Sequence, residues 1–402
     1  MADVYSRIAA RARELEADTA RFLCDMVRVP SFSTKEKEVI EVIGKEMKVA
    51  GFDEVRVDGL GNVIGRIGDG KRVIAFDAHI DTVYPGDLSL WSFDPFSPRI
   101  QDGKVWGRGT VDQEGGMASM VAAGRIIKEL GLNKEFTILF TGTVMEEDCD
   151  GLCWHYLIDK EGIKPELVVI TEPTNLTIYR GHRGRMEIQV KIGGRSCHGS
   201  APERGDNAIY KMARIALEIE KLNERLAQHP FLGKGTVVVS QIFFTGPSQC
   251  AVPDSATISL DRRLTLGETK DIAVGEVMDC ARRAGYPDAK VEVLRYEEAA
   301  YTGLKYPVEK YYPTWLLEEN SPFLTQAKEA YERVFERKPE VGKWVFSTNG
   351  VAIAGAHGIP CIGFGPGNEV YAHAPDEACP VEHLSSAAAF YAALVARMNG
   401  VA

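Results

Sequence analysis

Positive charge is in short supply in this chain: 47 Lys and Arg stand against 57 Asp and Glu, a formal net charge of −10. A nucleic-acid partner normally needs a basic face, so that class is excluded first. Long apolar runs are also missing. No stretch approaches the ~20 residues that span a bilayer, and no apolar signal core opens the chain. Tyr5 to Val27 instead alternates Arg and Glu with Ile8, Leu15, Phe22 and Leu23, as an amphipathic helix does. The cysteines at 24, 149, 153, 197, 250, 280, 361 and 379 lack the spacing of a disulfide framework, and Cys149–Cys153 is not a CxxC pair. Reduced thiols in a cytoplasmic protein with no membrane partner are therefore expected. The glycine-rich segment Gly107-Arg-Gly-Thr-Val-Asp112-Gln-Glu-Gly115-Gly116 has neither the GK[ST] of a P-loop nor GxGxxG spacing, which removes the obvious phosphate-binding readings. No internal repeat or low-complexity segment is found.

What is present is a chain of 402 residues, 45% hydrophobic and 26% charged, long enough for two domains or three. Up to about residue 180, helix-like stretches (Val4–Arg28, Thr34–Ala50, Gly115–Leu130) alternate with short apolar strands (Val73–Phe76, Phe136–Thr141, Leu167–Ile170). This alternation predicts an α/β layer around a mixed, mostly parallel sheet. Glu54–Asp58 and Val63–Ile67 flank Gly59-Leu-Gly-Asn62 as a hairpin would. Residues 183–297 follow another order. A strand at Arg185–Ile192 precedes a helix at Asn207–Gln228, strands at Thr236–Phe244 and Ala256–Leu264, a helix at Lys270–Ala284 and a strand at Lys290–Tyr296. That βαββαβ order predicts a ferredoxin-like insert acting as a lid or dimerisation domain. The catalytic layer is then split into 1–182 and 298–402, with a helix opening at Ser321-Pro322, a strand at Cys361–Phe364 and a closing helix at His383–Met398. Two linkers joining such halves suit a hinged enzyme.

Metal-type side chains recur where apolar strands end. His79 and Asp81 follow Val73–Phe76, Glu146 and Glu147 follow Phe136–Phe140, Glu172 follows Leu167–Ile170, and His373 follows Cys361–Phe364; Asp112 sits at the start of the Gly115–Leu130 helix. Ligands of open α/β sheets gather at the carboxyl ends of strands, so these positions can converge. Two histidines with several carboxylates suit a pair of divalent metals better than a nucleophilic triad. Singly, each is weak. His79 reads equally well as a surface histidine, Asp112 as a helix N-cap, and Glu146-Glu147 as a solvated acidic patch.

Read in order, the stretches AHIDTV, GRGTVDQEGG, TVMEED, TEPT, GRSCHGSAPERGDNA and FGPG…AHAPDE resemble the dinuclear zinc aminoacylase and exopeptidase family, which includes acetylornithine deacetylase, succinyl-diaminopimelate desuccinylase and several dipeptidases. The resemblance spans nearly the whole chain. It implies His79 and Glu172 on one metal, Glu147 and His373 on the other, and Asp112 bridging both. The metals would be Zn2+, with Co2+ or Mn2+ sharing such ligands. Asp81 resembles the residue that orients His79, and Glu146 the general base that deprotonates the attacking water. The Asp112-Gln113 peptide is expected to be cis. His198 matches a histidine that polarises the scissile carbonyl, often from a neighbouring subunit. Arg263 matches an arginine that grips a substrate carboxylate with its planar fork. A homodimer through the insert is the implied assembly.

The chain departs from the family at Cys250-Ala-Val-Pro253 and at Ser347-Thr-Asn-Gly350, which marks Asn349 as a candidate substrate contact. Arg180-Gly-His-Arg-Gly-Arg185 is unusually basic, and Tyr301, Tyr311, Tyr312 and Trp315 form an aromatic segment expected to pack. These features look most like a hydrolase branch associated with purine or selenium metabolism genes. The expected activity is cleavage of a peptide, N-acyl or N-carbamoyl amide bond in a small amino-acid derivative or dipeptide. A dipeptidase or aminopeptidase is the rival within hydrolases, and an inactive binding protein of the same fold the rival outside them.

Overall fold

A computed structural model describes residues 3–400 and places an eight-stranded mixed sheet at the centre of the larger layer. Its order is Glu54–Val57, Val63–Ile67, Phe136–Thr143, Arg72–His79, Leu167–Ile170, Cys361–Gly363, Ile178–Tyr179, Val341–Gly342. The four strands from Phe136–Thr143 to Cys361–Gly363 run parallel, and the first three of that order pair antiparallel. The hairpin at residue 54 is thus present. Buried on both faces, the central strands read as continuous apolar runs: Leu167–Ile170 is buried at every position, and Arg72–His79 from Ile74 onward.

Two helices explain that double burial. Glu114–Leu130 and Val381–Met398 have few exposed positions, and the second buries residues from Leu384 to Met398 around its whole circumference. An all-round apolar helix belongs inside a layer rather than on its surface. The closing helix starts at Val381, two residues before the expected His383, because Pro380 supplies the extended residue before it.

The N-terminal helix is two. Val4–Glu14 and Glu16–Val27 meet at Leu15. Arg11 and Arg13 close the first, while Glu16 and Asp18 open the second, so each terminus carries the charge that opposes its dipole. The helix expected over 207–228 ends at Glu224, and Gln228–His229 instead pairs with Gly233–Lys234. Ser321 does hold the N-cap position before Pro322, although its side chain makes no capping bond.

The inserted segment forms its own antiparallel sheet, ordered Thr236–Thr245, Ser255–Leu264, Gly184–Gly193, Lys290–Val293, with helices Ala208–Glu224 and Lys270–Arg283. This is the 2-3-1-4 strand order of the ferredoxin-like motif. Its buried residues, from Met186 to Ala281, make a core separate from that of the larger layer. The last expected strand breaks at Leu294: Arg295–Tyr296 turns away to pair with Val308–Glu309. On the return path Tyr311–Tyr312 adds to the insert's sheet beside Arg185–Met186 before the chain re-enters the main layer. Tyr312 and Trp315 are buried, as the packing expectation has it. Among the described residues no helix is long and apolar enough to cross a membrane, and all eight cysteines are free thiols.

Candidate metal centre

Strand Arg72–His79 delivers His79 to the sheet's carboxyl edge, where it is almost completely buried. One ring nitrogen, Nδ1, lies 2.9 Å from the Asp81 carbonyl oxygen. A carbonyl only accepts, so Nδ1 carries the proton and Nε2 faces the carboxylates. Nε2 lies 2.9 Å from Asp112 Oδ1, 3.5 Å from Glu172 Oε1 and 3.9 Å from Glu146 Oε2. The other oxygen of Asp112, Oδ2, lies 3.2 Å from His373 Nε2, which is also 3.1 Å from Glu147 Oε2. One carboxylate thus stands between two histidines, with Glu172 beside His79 and Glu147 beside His373.

The backbone is bent to aim these groups. Met145 and His373 both hold left-handed φ, 62° and 61°, without being glycine, a conformation found where surrounding structure over-determines it. The Asp112-Gln113 peptide is cis, as expected. The N-cap of helix Glu114–Leu130 is Gln113, not Asp112, so the aspartate is left to face the histidines. The glycines that follow have a steric reason. A Cβ on Gly115 would run into the Thr110 carbonyl, and one on Gly116 into Thr171.

Asp81 does more than was expected and by another route. Its carbonyl, rather than its carboxylate at 3.6 Å, makes the close contact with His79. The carboxylate accepts the backbone N–H of Glu146 at 3.1 Å and of Glu147 at 3.0 Å, together with the Ser33 hydroxyl at 2.6 Å. It therefore positions the whole acidic turn.

The electrostatics of these groups call for a cation. Burial works against protonating His79, yet the charges of Glu172 and Glu146 and its bond to Asp112 outweigh that and raise its pKa well above the usual value. Burial raises the Glu146 and Glu172 carboxyls well above their range, and brings Glu147, beside the Asp112 charge, to about 7. Hydrogen bonds to Asp112 and Glu147 push His373 up to about 10. Buried oxygens of Glu146 (Oε1) and Glu172 (Oε2) have no hydrogen-bond partner. Orphaned buried oxygens beside two imidazoles are the donor set of divalent metals, and the residues present fit such ions. They fall into two overlapping trios, His79 with Asp112 and Glu147, and His79 with Glu146 and Glu172.

The cluster opens into a cavity of about 310 Å3 that Asp150, Arg185, Arg263 and Ser347 also line. Arg263 reaches it from the insert, held by Asp261 through bonds of 2.8 and 3.0 Å. Asn349 does not reach it. This side chain is buried, accepting from Gly151 N–H and Cys153 Sγ and donating to Asp77 and Thr143. Both its donors and its acceptor are committed, which leaves nothing for a substrate. His198 lines a different groove, on the insert, with Asn207, Tyr210 and Cys250.

Glu377 and Arg108, for which the motifs alone suggest no role, form a buried floor beneath Asp112. The Glu377 carboxylate accepts from Val111 and Asp112 N–H at 2.7 and 3.1 Å, from Gly109 N–H at 3.2 Å, and from Arg108 Nη1 at 2.6 Å. An acid in AHAPDE (Glu377) and a base in GRGTVD (Arg108), 269 residues apart, could have been paired by their opposite charge.

His182, in the basic run, has a titration consequence. Its buried ring donates from Nδ1 to the Arg183 carbonyl, accepts Thr348 N–H at Nε2, and is held neutral, pushed down by burial to about 4. The unfolded chain protonates it near its ordinary value of 6.5, before the folded one does. Its contribution is therefore complete above that value and lost as pH falls towards 4. Between those pH values the unfolding free energy of the wild type should drop by roughly 3 kcal/mol more than that of His182→Gln. Equal pH slopes in urea titrations would show that His182 is not the titrating group.

The peptidase family M20/M25/M40 profile matches residues 75–397. The protein YgeY of Escherichia coli K12 is 54% identical over 392 residues, 97% of this chain and 96% of that one. A probable succinyl-diaminopimelate desuccinylase of Staphylococcus epidermidis is 26% identical, over 90% of this chain and 93% of its own. Among solved structures, the YXEP protein of Bacillus subtilis, described as a dinuclear metal-binding peptidase of the M20 family, superposes with a TM-score of 0.71 at 15% identity, covering 97% of this chain and 100% of that one. With that profile spanning most of its length, the chain belongs to peptidase family M20/M25/M40.

Proposed function

We propose that this hydrolase cleaves an amide bond in a small N-acyl or N-carbamoyl amino acid, using two divalent metals, most simply zinc, held by His79, Asp112, Glu147, Glu172 and His373. The carrying observation is the Asp112 carboxylate, with one oxygen facing each histidine. The ions would supply an acidified water and positive charge against the substrate carbonyl oxygen. Glu146, buried and with its carboxyl raised, is suited to take that water's proton at its carboxylate and return it to the leaving nitrogen. Asp81 holds Glu146 and Glu147 by their backbone, so its role is positioning. The insert, residues 183–297, acts as the lid, and Arg263 receives the substrate carboxylate from it.

Assay of the zinc-loaded enzyme against N-acyl, N-carbamoyl and dipeptide substrates tests the reading. Preference for an acylated or carbamoylated amino acid is expected, and hydrolysis of dipeptides alone would select the exopeptidase alternative. No hydrolysis in any class by a protein holding two metals would overturn it. Arg263→Ala should raise KM roughly 10- to 100-fold, the worth of a charge-assisted bond, with a smaller change in kcat. An unchanged KM removes Arg263 from the substrate.

His198 lies outside the metal cavity of its own chain, and its Nδ1 accepts from the Ser200 N–H and hydroxyl. This supports service to the site of a second copy in a homodimer. Mixed His198→Ala and Glu146→Ala dimers, allowed to exchange subunits, should then regain activity, because one site per heterodimer is intact. No regain on mixing excludes action in trans. The free thiols support a reducing, cytoplasmic setting.

A further inference from the structure

Helix Leu152–Asp159 and the π-helical turn Val351–Ala356 bring together a second group of ligand-type side chains that shares no residue with the dinuclear cluster. His155 Nδ1 lies 3.0 Å from His357 Nε2, with the rings tilted at 60°. Asp159 is one helical turn beyond His155 and so on the same face. Ligand atoms of the three lie within 4.8 Å of one another. Asp159 Oδ2 accepts from the Tyr306 hydroxyl at 3.0 Å. His155 and Asp159 line a cavity of about 420 Å3 formed with Arg295 at the end of the insert and with Tyr306 and Glu309 just beyond it.

We propose that His155, Asp159 and His357 form a third divalent-metal site of the zinc type, with an open coordination position towards this cavity. Two imidazoles with one carboxylate are a common zinc set when the fourth position is left to water or a ligand. Two Zn–N bonds of about 2.0–2.1 Å at a tetrahedral angle place their nitrogens about 3.3 Å apart, so a few tenths of an ångström of ring movement admits the ion. Burial and the neighbouring His357 push His155 down to about 4, which keeps it in the neutral form that ligates. Tyr306 holds the carboxylate as outer-shell partners do.

The site would join two elements that meet elsewhere through Asn349. That side chain accepts the Gly151 N–H at the start of helix Leu152–Asp159, immediately precedes Gly350 and the π-helical turn, and donates to Asp77 on the His79 strand. A metal there fastens the buttress behind the catalytic strand.

Chelator-stripped protein is titrated with Zn2+ alone, and bound zinc is counted by mass spectrometry after gel filtration. Wild type should hold one equivalent more than His357→Gln or His155→Gln. Equal counts overturn the proposal. Failure of the dinuclear reading would lower every count alike and leave the difference intact. Because a variant can misfold, the wild type is also treated with diethylpyrocarbonate. Zinc should protect His155 and His357 in peptide mapping, and unchanged modification of both overturns the site.

Discussion

Glu146→Ala is expected to lower kcat by about 10²- to 10⁴-fold, the range contributed by a positioned general acid–base, while both metals of the centre stay bound. The geometry makes these outcomes separable. Glu146 Oε2 stands 3.9 Å from His79, farther than Glu172 Oε1 at 3.5 Å, and Glu146 Oε1 is buried without a partner. The acidic turn itself is set by backbone bonds to Asp81, which survive truncation of the side chain. Stopped assays with metal analysis on the same preparation read both quantities. Wild-type kcat in the variant removes the base, and loss of a metal turns Glu146 into a ligand instead. Ser33→Ala should show a milder form of the same defect, since it deletes a single bond to the Asp81 carboxylate.

Glu377→Ala is expected to cost about 3–5 kcal/mol of stability, the usual effect of stripping one partner from a buried ion pair. Arg108 and Glu377 are 2% and 0% exposed, so the truncation leaves the guanidinium buried without its counter-charge. Three backbone N–H groups, those of Gly109, Val111 and Asp112, lose their acceptor at the same time. Urea denaturation measures the loss. The double variant Arg108→Met/Glu377→Gln should recover part of it, because the stranded charge is gone. A cost below about 1 kcal/mol in Glu377→Ala would mean that the clamp contributes nothing beyond an ordinary surface pair. The metal centre should loosen in parallel, as Asp112 hangs from this floor.

The central parallel strands were legible because burial on both faces writes itself as an unbroken apolar run; Leu167–Ile170 was read to the residue. Four of the five candidate ligands stood out for a related reason, since His79, Glu147, Glu172 and His373 each follow such a run, whereas Asp112 precedes a helix. Where local pattern and tertiary pairing compete, reading failed. Lys290–Tyr296 is one β-prone stretch, yet Leu294 divides it between two partners that lie far off in sequence. The motif Ser347-Thr-Asn-Gly350 pointed to Asn349 as a substrate contact. Its four hydrogen bonds to three other elements show a buttress instead.

By itself, then, the sequence determined the α/β layer with its antiparallel insert, and the histidines and carboxylates available at the strand ends, because periodicity and strand-end placement are local properties. Tertiary structure alone decided which oxygen of Asp112 faces which histidine, that Asp81 governs the acidic turn through backbone N–H groups, and that Glu377 supports the floor. It also brought His357 to His155 across 202 residues. Those are matters of ångströms between segments remote in the chain, and burial there gives each unpaired charge a cost that only a specific partner removes.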